Sequence, residues 1–184
     1  MSPQEYYLSN TAMSIRDQDD HSFKGSLRTR FFPFCLTDPA PLQTFVLMAA
    51  SHYSISLGPQ SHSIDLGELR VMAMREITGA LNDPGRATSD QLIAAVANMA
   101  WYEALFGDRK IFNIHMTGLL RMVSIRGGLP ALGLDGFLER VLLWIDRKTA
   151  HITASPICFD KAASPPEDEH LTLDSHRFAN GLHR

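Results

Sequence analysis

Apolar residues recur at three- and four-residue spacings through most of the chain, and the pattern breaks at a few short polar or Gly/Pro-rich stretches. Phe45, Met48, Ala49, His52 and Tyr53 share this period, which predicts a first long helix over about Pro39–Leu57. The Thr37-Asp38-Pro39 turn starts it, and Gly58-Pro59 stops it, since proline cannot continue a helix. A second helix is predicted over residues 64–81. Its inner stripe reads Leu66, Leu69, Met72, Ala73, Ile77 and Leu81, with Arg70, Arg75 and Glu76 in water. The loop Asn82-Asp83-Pro84-Gly85 follows.

The third helix, residues 89–106, is capped by Thr88 or Ser89. Its middle (Ile93, Ala94, Val96, Ala97, Ala100, Trp101) is apolar almost all round, so more than one neighbour must cover it. Gly107 ends it, and Asp108 caps a fourth helix over 109–126. Gly127-Gly128 stops that helix, with Arg126 beside the negative end of its dipole. A fifth runs from near Asp135 to about Thr153, with Leu138, Val141, Leu142, Ile145 and Thr149 on one face, widened by Phe137 and Trp144. No stretch shows two-residue alternation bounded by turns. The fold class is therefore all-α, an irregular array of about five or six packed helices.

The flanks differ. Residues 1–30 are polar and read as a flexible or partly helical lead-in, before the apolar anchor Phe31-Phe32-Pro33-Phe34. Residues 162–169 are Pro-rich and acidic, so 161–184 read as a loose tail after a helical domain over 31–160. With 184 residues, 45% apolar and 20% charged, the chain has material for one core. A formal charge of -3 lacks the basic footprint of a free-standing DNA-binding domain. Cys35 and Cys158 read as reduced, largely buried thiols of an intracellular protein. The N-terminus has no charged-then-apolar signal pattern, and apolar runs such as 45–50 are too short for a bilayer.

Candidate chemistry is sparse. No HExxH, HxH or CxxC spacing occurs, so His21, His52, His62, His115 and His151 read as core or surface residues without a metal. Serine, histidine and aspartate are present without a GxSxG elbow. Gly127-Gly128 follows a helix instead of preceding one, which suits termination and not phosphate binding. Asp146 lies midway in the fifth helix beside Trp144 and Ile145. It is either solvent-facing or buried and satisfied, with Arg126 and His115 as partners. The methionines Met48, Met72, Met74, Met99, Met116 and Met122 suit core filling first and an adaptable pocket second. No catalytic residue, metal ligand or cofactor is assigned.

An ordered series of motifs then stands out: Ser89-Asp90, Trp101-Tyr102-Glu103-Ala104-Leu105-Phe106-Gly107-Asp108, His115-x-x-Gly118-Leu119, Arg126-Gly127-Gly128-Leu129 with Leu132-Gly133, and Trp144-x-Asp146. The series resembles the fungal-specific transcription factor domain, over about residues 31–160. Phe34-Cys35-Leu36, Asp38-Pro39 and Ala49-Ala50-Ser51-His52 resemble the start of that domain. The resemblance implies a nuclear regulatory domain that normally lies C-terminal to a binuclear zinc cluster and continues for several helices beyond the position of Phe159. The chain then reads as the N-terminal part of a larger helical domain. The family's DNA-reading module needs six clustered cysteines, and this chain has two, far apart; no direct DNA binding is carried over. Implied partners are proteins, such as a second copy or a zinc-cluster regulator, with a small-molecule effector as a further class. The alternative is a helical interaction or small-molecule-binding module unrelated to transcription. His115, Gly118, Leu119, Arg126, Gly127, Gly128, Leu129, Trp144 and Asp146 are expected to be structural. Gly118 and His115 share a face of the fourth helix, which places a packing joint between the fourth and fifth helices.

Overall fold

Side-chain caps set where the helices begin. Asp38 accepts the Ala40 amide, Asp65 that of Glu68, Ser89 that of Leu92, and Asp108 those of Lys110 and Ile111. Each such cap contributes roughly 1 kcal/mol by satisfying an orphan amide of the first turn. The computed structural model describes residues 23–57 and 65–159, and every regular element among them is helical. Near the start, α1 (Phe23–Ser26), a π turn (Leu27–Phe31) and α2 (Phe32–Cys35) run on without a break. They are followed by α3 (Pro39–Leu57), α4 (Leu66–Leu81), α5 (Asp90–Phe106), α6 (Arg109–Ile125), a 3-10 turn (Leu129–Ala131) and α7 (Phe137–Thr153). The Gly58-Pro59 stop, the lead-in before Phe23 and the tail from residue 160 lie outside the described residues.

The all-round apolar character of α5 decides the architecture. Its buried residues (Leu92 to Ala97, Met99 to Glu103) point in every direction around the axis, so no single neighbour can cover them. Helices α3, α4, α6 and α7 all pack on it, and α3 also packs on α4. The segment before α3 joins the same core. Phe23 lies 5.5 Å from Phe137 and 5.9 Å from Trp144, which in turn lies 5.1 Å from Trp101. Arg30 donates to the Leu134 carbonyl at 2.6 Å and to Asp135 at 3.0 Å. It thereby holds Leu134 and Asp135, both in left-handed backbone, ahead of Gly136 and α7.

Two sequence expectations change. On α4 the inner face is Leu69, Ala73, Ile77 and Ala80, a slightly rotated stripe that leaves Met72 and Leu81 exposed. The rotation turns Arg70 inward from its expected place in water, and it pairs with Glu103 of α5. Cys158 is exposed, while Cys35 is fully buried beside Asn98, and burial pushes its thiol up to about 12. Four of the methionines (Met48, Met99, Met116, Met122) are buried in the core. No helix among the described residues is long and apolar enough to cross a membrane.

His52 of α3 is buried with its ring edge-on to Phe106, centroids 5.0 Å apart. Burial lowers its pKa from 6.5 to about 4, and burial lowers that of His115 as well. Between these pH values the unfolded chain holds a proton that the folded chain excludes, so stability rises with pH. Urea-unfolding midpoints should accordingly fall as pH drops from about 6.5 to 4, with His52 contributing roughly 3 kcal/mol over the window. His52→Leu should flatten the profile; a profile unchanged by that substitution would remove His52 as its source.

Candidate functional site

The motif residues gather at three carboxylates. Asp90, in the first turn of α5, faces Arg126 at the end of α6, with Nη2 3.0 Å from Oδ1. Arg126 also donates to the carbonyls of Thr88 at 2.9 Å and Ala131 at 3.2 Å. The other Asp90 oxygen accepts the Gly133 amide at 3.1 Å. A Cβ at position 133 would collide with that carboxylate, so this glycine is a requirement of the clasp. Gly127 and Gly128 shape the approach. Both have positive φ (98° and 96°), and their amides close back onto the Ser124 and Val123 carbonyls at 3.1 and 2.9 Å. That is the Schellman arrangement, which ends α6 and sends Leu129 into the 3-10 turn. Arg-Gly-Gly-Leu is thus a helix stop whose arginine ties α6 to the start of α5.

The second carboxylate is Glu103, within the Trp101–Asp108 motif, to which the sequence pattern attaches no role. Its side chain is fully buried, and Oε1 accepts from Arg70 Nε at 3.0 Å and Nη2 at 2.6 Å. Oε2 accepts the Asp108 amide at 3.0 Å, in space that only a glycine at 107 leaves open. The signal was available: Glu103 and Asp90 are the only charged residues in α5, and a lone charge in an apolar helix needs a partner. His115 is buried and electrostatically coupled to this Glu103–Arg70 pair, with its Nε2 lacking a hydrogen-bond partner among the described residues.

The third is Asp146, which is buried, as one of the two sequence readings had it. Its partners are neither Arg126 nor His115. Both oxygens accept the Cys158 amide at 3.0 Å, and Oδ2 also accepts the Phe159 amide at 2.7 Å. Arg126 is engaged by Asp90, and the chain after α7 folds back to supply amides that no sequence spacing announces. This return is made possible by Ala154, which adopts a left-handed conformation at the end of α7 (φ 51°).

The expected joint between α6 and α7 is not formed in that way. Both helices pack on α5 and touch each other only slightly. Gly118 is not a close-approach point, since a Cβ there would meet nothing within 4 Å. Leu119, one residue on, is fully buried, and Trp144 is half-buried against Trp101 and Phe23. Where α6 and α7 part, an open cleft of about 550 Å³ remains. Leu120, Val123 and Ser124 of α6, the Gly127–Pro130 turn, Glu139 of α7, and Cys158 with Phe159 line it. Asp146 therefore builds one wall of the cleft through the two amides it holds. None of the methionines among the described residues lines it.

Comparison with known proteins gives one family. The model described as the fungal specific transcription factor domain matches residues 2–182, extending past both ends of the 31–160 resemblance. No curated protein and no solved structure matches the chain.

Two substitutions check this geometry. Gly118→Ala should stabilise the protein by about 0.5–1 kcal/mol, the helix-propensity gain at an unobstructed site; a loss in thermal or urea unfolding would restore the close-approach reading. Asp146→Ala should destabilise by about 2 kcal/mol by stranding two amides. Hydrogen exchange should accelerate at Cys158 and Phe159 in that variant, and unchanged protection there would show that the contact does not hold the wall.

Proposed function

The chain belongs to the fungal specific transcription factor domain family, and from that premise we propose that it is a regulatory helical domain acting through protein contacts or an effector, in the nucleus. The observation that carries this reading is the family match over residues 2–182. The site geometry supports a non-catalytic role. Asp90, Glu103 and Asp146 are each engaged in holding helices and turns together, which leaves them no acid–base work on a substrate.

The domain does not read DNA by itself in this proposal. Its formal charge is -3, and its two cysteines, one buried in the core and one at the cleft, are too far apart in sequence for a six-cysteine zinc cluster. Protein contacts, with a second copy or with a zinc-cluster regulator, then bring it to its targets.

Tethered to a heterologous DNA-binding module, the chain is expected to change transcription of a reporter carrying the matching sites. The endogenous protein should be enriched on chromatin. An unaltered reporter together with an exclusively cytosolic protein would sink the proposal. The purified chain should show no duplex-DNA affinity with a steep salt dependence; finding one would reassign DNA reading to this domain.

A further inference from the structure

The cleft between α6 and α7 has one charge, and that charge is uncommitted. Among the described residues, Glu139 is the only charged side chain in its lining. It is half-buried, and among the described residues its carboxylate has neither an ion pair nor a hydrogen bond. The adjacent Arg140 does not neutralise it, because its guanidinium lies over the Phe23 and Phe137 rings at 5.6 Å from each centroid. The remaining walls are largely apolar, with Leu120, Val123, Leu129, Pro130 and Phe159 around the glycine turn. A volume of about 550 Å³ falls in the range that takes small molecules, and an apolar lining with a few convergent polar groups is the usual composition of such sites.

We propose that this cleft binds a small apolar molecule carrying a cationic amine, its body against Leu120, Val123, Leu129 and Phe159 and its ammonium on Glu139. A half-buried carboxylate without a partner is a poor neighbour for an apolar or anionic ligand and a good one for an ammonium. The following stretch of the chain, residues 160–184, is net acidic, with Asp160, Glu167, Asp168, Glu169 and Asp174 against Lys161, Arg177 and Arg184, which disfavours it as occupant beside Glu139. Cys158 adds no competing charge, because partial desolvation of its otherwise exposed side chain, and then the nearby Asp146 carboxylate, raise its thiol pKa. The inference concerns ligand chemistry and does not depend on the regulatory reading: amine binding and the reporter assay can each fail without the other.

The test is calorimetric titration of the full chain with octylamine, octanol and octanoate, which share a tail and differ in charge. Octylamine should bind about tenfold more tightly than the other two, the effect of one charge-assisted contact. Glu139→Gln should bring octylamine down to the level of octanol. Ser124→Trp, which fills the cleft from an exposed helix position, should abolish binding while the melting curve shows an intact fold. Equal affinities for the three probes, octylamine binding that survives Glu139→Gln or Ser124→Trp, or no octylamine binding at all would each overturn the proposal.

Discussion

One helix has no surface of its own to give to water. Because α5 is apolar around its full circumference, the other helices exist as its covering, and their positions follow from where its residues must be shielded. The consequence is a wrapped helix and not a layered bundle. α6 and α7 both lie on α5 and hardly touch each other, which is why a cleft opens between them.

Carboxylates then fix this wrapping in place. Asp90 and Glu103 stand near opposite ends of α5 and repeat one solution. Each takes an arginine from another helix (Arg126, Arg70), accepts one backbone amide (Gly133, Asp108), and requires a glycine beside it (Gly133, Gly107). Asp146 solves the same problem without a cation, by collecting amides from the chain that follows α7. Buried charges of this kind specify geometry more than they add stability, because desolvation offsets much of the attraction. Here they set which loop lies against which helix end. The wall of the cleft, including Phe159, is one result.

Much of this was legible along the chain. Helix starts at Asp38, Ser89 and Asp108, and the stop at Gly127-Gly128, are local chemistry, since a cap reaches only two to five residues along the backbone. The all-round apolar middle of α5 announced a central helix. The inner face of α4 was less legible, because alanines and methionines carry little directional signal, and the choice between Met72 and Ala80 fell to what α3 and α5 offered.

The sequence by itself therefore determined the five long helices to within about two residues at each end, though not the helical turns over Phe23–Cys35, together with the fold class and the resemblance now matched by the family model. Only the tertiary structure decided which charge meets which partner: Arg70 with Glu103 in place of water, Arg126 with Asp90 in place of Asp146, and Asp146 with the Cys158 and Phe159 amides. It also decided that Gly118 faces open space and that a cleft with an uncommitted Glu139 lies between α6 and α7. The reason is range. Caps and periodicity act within a few residues, whereas a buried charge takes whichever donor the packing brings near, at any separation along the chain.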